Sequence, residues 1–215
     1  MTIPIFIAVE SNMGGVDDFI LNSCFANFLQ VNYNNFVNIN ELEVVSLAKV
    51  AFLLASGFED SEMKNPYEAI KEAGHEAIII GLEKGAQCDG KKGTVSYTAD
   101  LAASEANANE FDAVIIPGGG APEALRVNDD VVRFVKEINQ DDKLIAGICH
   151  GPQIMISADI LKGKEATCFI GIRDDVKLAG ATYHDKEVVV SENLITSRTP
   201  KDEPVFIREI LAKLS

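Results

Sequence analysis

"KLIAGICHGPQ", residues 143–153, is an apolar run closed by a cysteine, a histidine, a glycine and a proline. A short unbroken apolar run without alternation marks a strand buried on both faces, as in a parallel sheet sheathed by helices. Gly151 and Pro152 cannot prolong such a strand. Proline does suit the first turn of a helix, where its missing N–H costs nothing. The stretch therefore reads as core strand, tight bend, helix. Three further runs share the strand character: "KVAFLLAS" (49–56), "HEAIIIG" (75–81) and "FDAVIIPGGG" (111–120).

The intervening segments read as helices. One covers 60–74, interrupted near its start by Pro66 and ended by Gly74. Another covers 129–139, with Asn128 as N-cap and Asp129 and Asp130 in its first turn. A helix follows from His150. The last, 202–214, lines up Val205, Phe206, Ile210, Leu211 and Leu214 on one stripe. "KKGTVSYT" (91–98) has the pattern of a hairpin arm, and "ATCFIGI" (166–172), "EVVVSE" (187–192) and "LITS" (194–197) read as later strands. Strands alternating with helices predict a mostly parallel α/β sheet covered on both faces, one domain over 48–215.

Composition narrows the functions. The 215 residues are 47% hydrophobic and 24% charged, ordinary for a globular chain. A net charge of −14 argues against nucleic-acid scaffold binding, which needs Lys and Arg against phosphates. No apolar run approaches the roughly 18 residues that span a bilayer, so no membrane partner is expected. No Lys or Arg precedes Lys49, so the start lacks the basic region of a secretory signal. Cys24, Cys88, Cys149 and Cys168 have neither the density of a disulfide scaffold nor the spacing of a metal site. They read as reduced thiols in the cytoplasm. No metal is expected on that spacing, and no cofactor, since no phosphate-loop lysine that would hold a nucleotide follows Gly118, Gly119 and Gly120.

Residues 1–47 differ in texture, with eight Asn, five acidic residues and no basic one. They read as an N-terminal extension, or as an over-called start. Leu42-Glu43-Val44-Val45 can be encoded by UUG GAG GUG GUG, a purine-rich ribosome-binding sequence upstream of a UUG initiator at Leu47. The intact mass of the natively expressed protein separates the two.

Sites in parallel sheets form beyond the C-terminal ends of strands. Three loops of this chain lie there: "SGFEDSE" (56–62), "PGGGAPE" (117–123) and "CHGPQ" (149–153). A lone cysteine is usually an inert core residue. At a strand-to-helix bend it gains access, free backbone N–H groups and a helix dipole that favours thiolate. Gly151 removes a side chain where substrate or backbone must approach. The His150 N–H is placed to receive an oxyanion, whereas its ring needs an orienting carboxylate, for which Glu123 is the candidate. Glu59, Asp60 and Glu62 crowd the first loop. Most such acids are solvated or start a helix; one buried beside Cys149 would be pushed up and could donate a hydrogen bond to the thiolate.

Together, "VAFLLASGFEDSE", "AVIIPGGGAPEALR", "LIAGICHGPQIMISADILKGK" and "VVVSENLITSRTP" resemble the PfpI-like branch of the ThiJ/PfpI superfamily over roughly 48–215. That superfamily's domain is related to class I glutamine amidotransferases. The resemblance implies a flavodoxin-like three-layer sandwich with Cys149 at a nucleophile elbow and His150 beside it. It implies an oxyanion hole from the Gly119 and His150 backbones, with Glu62 as the buried acid and Glu59 close by. Glu123 matches the acid that completes the triad from a neighbouring subunit, so a homo-oligomer, dimer or hexamer, with a shared site is implied. Gly118, Gly120, Gly151 and Phe169 would line the pocket. Gly120 and Phe169 depart from common family choices, a larger residue and a tyrosine respectively, which leaves substrate less defined than mechanism.

The implied activity is a cysteine-dependent stress-response hydrolysis of α-oxoaldehydes or early glycation adducts, on a small aldehyde or a glycated protein. The alternatives are an intracellular cysteine peptidase using Cys149, His150 and Glu123, and a non-enzymatic sensor in which Cys149 is oxidised. A glutaminase fits poorly, because "YHDKEVVV" offers only His184 and Glu187 at the wrong spacing.

Overall fold

The computed structural model describes residues 47–215. The readings placed on residues 1–46, Cys24 included, lie outside the described residues. In chain order the elements are β1 (Lys49–Leu53), α1 (Asp60–Glu72), β2 (Glu76–Gly81), β3 (Gln87–Asp89), β4 (Ser96–Thr98), β5 (Leu101–Ala102) and β6 (Ala113–Ile116). They continue with α2 (Ala121–Leu125), α3 (Asp129–Gln140), β7 (Leu144–Ile148), α4 (Pro152–Ser157), β8 (Glu165–Ala166) and α5 (Arg173–Leu178). The last are β9 (Thr182–Tyr183), β10 (Val188–Ser191), β11 (Leu194–Ser197) and α6 (Glu203–Leu214).

The four apolar runs become β1, β2, β6 and β7, neighbours in a seven-stranded sheet of order β10-β11-β7-β6-β1-β2-β5. Every pairing is parallel except the β10–β11 hairpin. All residues of β6 and β7 are buried, which is why their sequences carry no alternation. Helices α1 and α6 pack together on one face; α2, α3 and α4 cover the other. The result is a single α/β sandwich of three layers.

Local signals set the helix ends. Asn128 accepts from the amides of Asp130 (3.0 Å) and Val131 (3.1 Å), and α3 then buries Val131, Phe134, Val135 and Ile138 on one stripe. At the end of α1, Gly74 turns to φ +89°, and the amides of Gly74 and His75 return to the carbonyls of Lys71 and Ile70. Pro66 sits inside α1 without ending it.

Two expectations are corrected. The predicted strand 166–172 shrinks to Glu165–Ala166, followed by loop and a 3₁₀ turn at Ile170–Ile172. The Thr167 amide goes to Thr196 Oγ1 (2.9 Å) and the Phe169 amide to the Cys149 carbonyl (3.0 Å), so no regular ladder extends the strand. The helix placed from His150 begins at Pro152 and is only six residues long.

From β1 the chain runs outward to β2 and β5. It then returns to the far side of β1 as β6 and continues to β7 and β11. The order reverses between β1 and β6, and a crevice opens beyond the carboxyl ends of strands at such a point.

Candidate active site

The loops after β1, β6 and β7 meet at that reversal. The amide of Glu59 donates to the Gly118 carbonyl (3.1 Å) and that of Gly120 to the Gly57 carbonyl (2.8 Å), so the first two loops are zipped together. Gly119 holds φ +80°, and a Cβ there would meet the backbone of Gly57, Phe58 and Glu59. Gly119→Ala is therefore expected to cost at least about 3 kcal/mol, from left-handed strain plus a backbone clash. A thermal or urea unfolding curve measures it, and a loss below about 1 kcal/mol would contradict this packing.

Cys149 lies at the end of β7 with φ +60°, a left-handed conformation rare for a side-chain-bearing residue. Its backbone is held on both sides: its amide donates to the Ser197 carbonyl (3.0 Å), and its carbonyl accepts from Phe169. Gly151 makes the bend possible, since a Cβ there would press on the Ile116 carbonyl and the backbone of Ile148. The sulfur is aimed at the cleft, and the Cys149 residue is only 8% exposed.

Around the sulfur stand the groups expected from sequence. His150 Nδ1 lies 3.3 Å from Cys149 Sγ in the same chain, and its ring stacks on Phe169 with centroids 4.8 Å apart. The amides of Gly119 and His150 donate toward the sulfur. Glu62 is fully buried, and its Oε2 accepts from the Gly118 amide at 2.9 Å. A Cβ on Gly118 would fall 2.6 Å from Glu62 Oε2, 2.7 Å from Cys149 Cβ and 2.9 Å from the His150 nitrogen. Acid, thiol and the His150 amide thus converge on a position only glycine can occupy. Glu62 Oε1 makes no regular hydrogen bond among the described residues, although the carboxyl lies close enough to Cys149 for each to bear on the other's proton.

Burial pushes Glu62 up to about 8, against the opposing Gly118 hydrogen bond and with help from the charges of Glu59 and Glu203. Burial also raises the Cys149 thiol, and the negative charge of Glu62 adds to this, while the two amides work the other way. The expected lowering of the thiol by a helix dipole is thereby corrected: α4 is short, and burial outweighs it. His150 is held below the ordinary histidine range, first by burial and then by the nearby Lys91 charge, with Glu123 opposing.

Glu123 lines the same cleft, of about 620 Å³, but is exposed on α2 and makes no hydrogen bond or ion pair with His150 within the chain. Gly120 also lines it, and a Cβ there would stand 3.6 Å from the Gly57 carbonyl, so a larger residue has room.

Other residues of the cleft lack a motif of their own. Lys91, Gln153, Ile172, Thr199 and Pro200 complete its wall. Lys92 pairs with Glu59, which is 8% exposed. Asp60 accepts from the amides of Lys92 and Thr94 (both 2.8 Å) and from the Thr94 hydroxyl. Burial opposes the Asp60 charge, but these donors outweigh it and hold the carboxyl at about 2. The hairpin of β3 and β4 is thus clamped to the start of α1. A lysine pair in a hairpin facing an acidic loop was the available clue.

Among the described residues, no group of three or more His, Cys, Asp or Glu side chains is arranged to hold a metal ion. Among the same residues, no helix is long and apolar enough to cross a membrane.

A profile of the DJ-1/PfpI family matches residues 48–213. The chain belongs to the DJ-1/PfpI family. It is 48% identical over 167 residues to General stress protein 18 of Bacillus subtilis, covering 77% of this chain and 97% of that one. It is 46% identical over 166 residues to Deglycase PfpI of Pyrococcus furiosus, covering 77% and 99%. Among solved structures, a two-domain protein of Anabaena variabilis with DJ-1/ThiJ/PfpI-like and ferritin-like domains superposes with a TM-score of 0.77 at 47% identity. That match covers 78% of this chain and 48% of the longer one. The DJ-1/PfpI family membership agrees with the sandwich described above, and names among its relatives support deglycase-type enzymes.

Proposed function

We propose that this DJ-1/PfpI protein hydrolyses α-oxoaldehydes or early glycation adducts through nucleophilic Cys149. The observation that carries the reading is Cys149 at φ +60°, with His150 Nδ1 3.3 Å from its sulfur and the buried acid Glu62 against it. The cysteine sulfur attacks the aldehyde carbon, forming a C–S bond, and the carbonyl oxygen takes up a proton to give a hemithioacetal. The Gly119 and His150 amides face the oxygen while it is negative. For methylglyoxal, moving the C1 proton to the adjoining carbonyl carbon, with electrons redistributed within the substrate, yields a thioester. Water then cleaves it to lactate and the free thiol. His150, held neutral, is suited to take and return protons, with Glu62 as the second carrier.

The test is methylglyoxal consumption and lactate formation by the purified protein, with a glycated peptide as second substrate. Absence of both would overturn the proposal. The cysteine–histidine contact also favours a peptidase reading, for which casein hydrolysis with no methylglyoxal consumption is the signature. Peroxide oxidation of Cys149 to sulfinic acid, with no turnover of either substrate, would replace both by a sensing role.

Glu123 belongs to this proposal as the acid that orients His150 from the neighbouring protomer of a homo-oligomer. Its exposure on α2 and its lack of a side-chain partner among the described residues support that placement. Glu123→Ala is expected to lower turnover by about 10-fold or more without unfolding the protomer. Full retained activity contradicts the shared site. The reaction suits a reducing cytoplasm, where the thiol stays free.

A further inference from the structure

Glu203 is a buried carboxylate with no part in the chemistry above. It begins α6 and is 3% exposed. Its Oε1 accepts from Ser61 Oγ at 2.7 Å and its Oε2 from Asn65 Nδ2 at 2.5 Å. Of the basic side chains before the same helix, Arg198 is committed to Asp185 and Asp202, and the exposed Lys201 forms no ion pair with Glu203. Glu203 is therefore held by two neutral donors. Both stand one turn apart on α1, and Glu62 lies between them in the chain. The residues just before Glu203, Thr199 and Pro200, form part of the cleft wall.

A buried carboxylate without a cation is costly, and it disfavours a second negative charge nearby. Several groups face Glu62. Gly118 donates to it from the end of β6, and Cys149 abuts it from β7. Glu59 acts from the preceding loop, where Lys92 pairs with it, and Glu203 acts from α6. Lys92 senses Glu59, Asp60 and Glu62 together. With one proton between them, Glu62 and Cys149 have two arrangements: carboxylate beside thiol, or neutral acid beside thiolate. Glu203 is anchored on the helix that carries Glu62, so its charge penalises the first arrangement more than the second.

We propose that Glu203 is a positioning residue whose buried carboxylate, held on Ser61 and Asn65, biases the proton toward Glu62 and so raises the share of Cys149 that is thiolate. This rests on Glu62 serving Cys149 as proton donor.

The test is the rate at which iodoacetamide alkylates the Cys149 peptide, followed by mass spectrometry across pH in the full chain. Thiolate sulfur displaces iodide, so the rate reads the thiolate fraction directly and requires no turnover. Glu203→Gln removes the charge and keeps the shape. Glu203→Leu replaces the charge with an apolar group of similar size but leaves Ser61 and Asn65 without their acceptor, so an unfolding curve accompanies each variant. Both are expected to lower the neutral-pH alkylation rate severalfold. In a Glu62→Gln background, Glu203→Gln should change nothing further. An unchanged rate in both variants, a loss confined to Glu203→Leu, or a persisting effect without Glu62 would each overturn the proposal. If methylglyoxal is not consumed but these rates respond as stated, the substrate reading fails and the role of Glu203 stands.

Discussion

Cys149→Ala is expected to lower turnover of an α-oxoaldehyde or glycated substrate by at least about 1,000-fold, with the fold intact. No neighbouring group can replace a nucleophile whose attack creates the covalent intermediate. The fold should survive, because one buried sulfur atom contributes on the order of 1 kcal/mol of packing. The left-handed backbone at φ +60° remains for alanine, so its strain is neither relieved nor worsened. The hydrogen bonds that hold it, to Ser197 and from Phe169, involve only backbone atoms and persist. Cys88 and Cys168 are buried and cannot substitute. Initial rates on methylglyoxal, paired with a thermal unfolding curve, check both halves. Activity within tenfold of the parent would remove Cys149 from the chemistry.

Glu62→Gln should produce two opposite effects: weaker catalysis and greater stability. Gln keeps an oxygen to accept from the Gly118 amide but cannot pass a proton, so turnover should fall by about 100-fold. The stability gain follows from linkage. Glu62 has an ordinary value of 4.5, raised to about 8 in the folded protein, chiefly by burial. Between those values the folded state holds a proton that the unfolded chain has released. Stability therefore declines as pH rises above 4.5, until the folded group also ionises near 8. At pH 7 the penalty comes to roughly 3 kcal/mol, which glutamine does not incur. Urea unfolding of the two proteins should converge near pH 4 and diverge above it, with the variant ahead. Parallel stability curves across that window would show that Glu62 is not held neutral by burial.

Much of the architecture was legible because the signals that specify it are local. An apolar run buried on both faces needs no alternation; β1, β6 and β7 declare themselves through that alone, while β2 is buried only over its second half. Asn128 and Gly74 mark helix ends through hydrogen bonds and dihedrals within a few residues. The loops of the site could be chosen because strands ending in glycine, acid or cysteine turns all deliver them to one edge of a parallel sheet. The 166–172 segment deceived because its composition favours strand, whereas Thr196 and the Cys149 carbonyl claim its amides from outside.

What stayed hidden depends on residues far apart in the chain. Phe169 covers His150, Lys92 closes on Glu59, and Glu203 reaches Ser61 and Asn65 from the last helix. None of these pairings has a periodicity to betray it. The pKa directions were hidden for the same reason. Glu62 is an unremarkable acid in the first turn of a helix until three loops exclude water from it.

By itself, the sequence determined the order and type of the main elements, the edge of the sheet where polar loops collect, and the bend that ends in Cys149. Hydrophobic period, glycine and proline act over a few residues, and that is enough for such features. Only the tertiary structure decided that Cys149 adopts a left-handed backbone, that His150 Nδ1 meets the sulfur of its own chain, and that burial rather than a helix dipole governs the thiol. Those outcomes are set by desolvation and by hydrogen bonds between distant segments, which exist only once the sheet has brought its loops together.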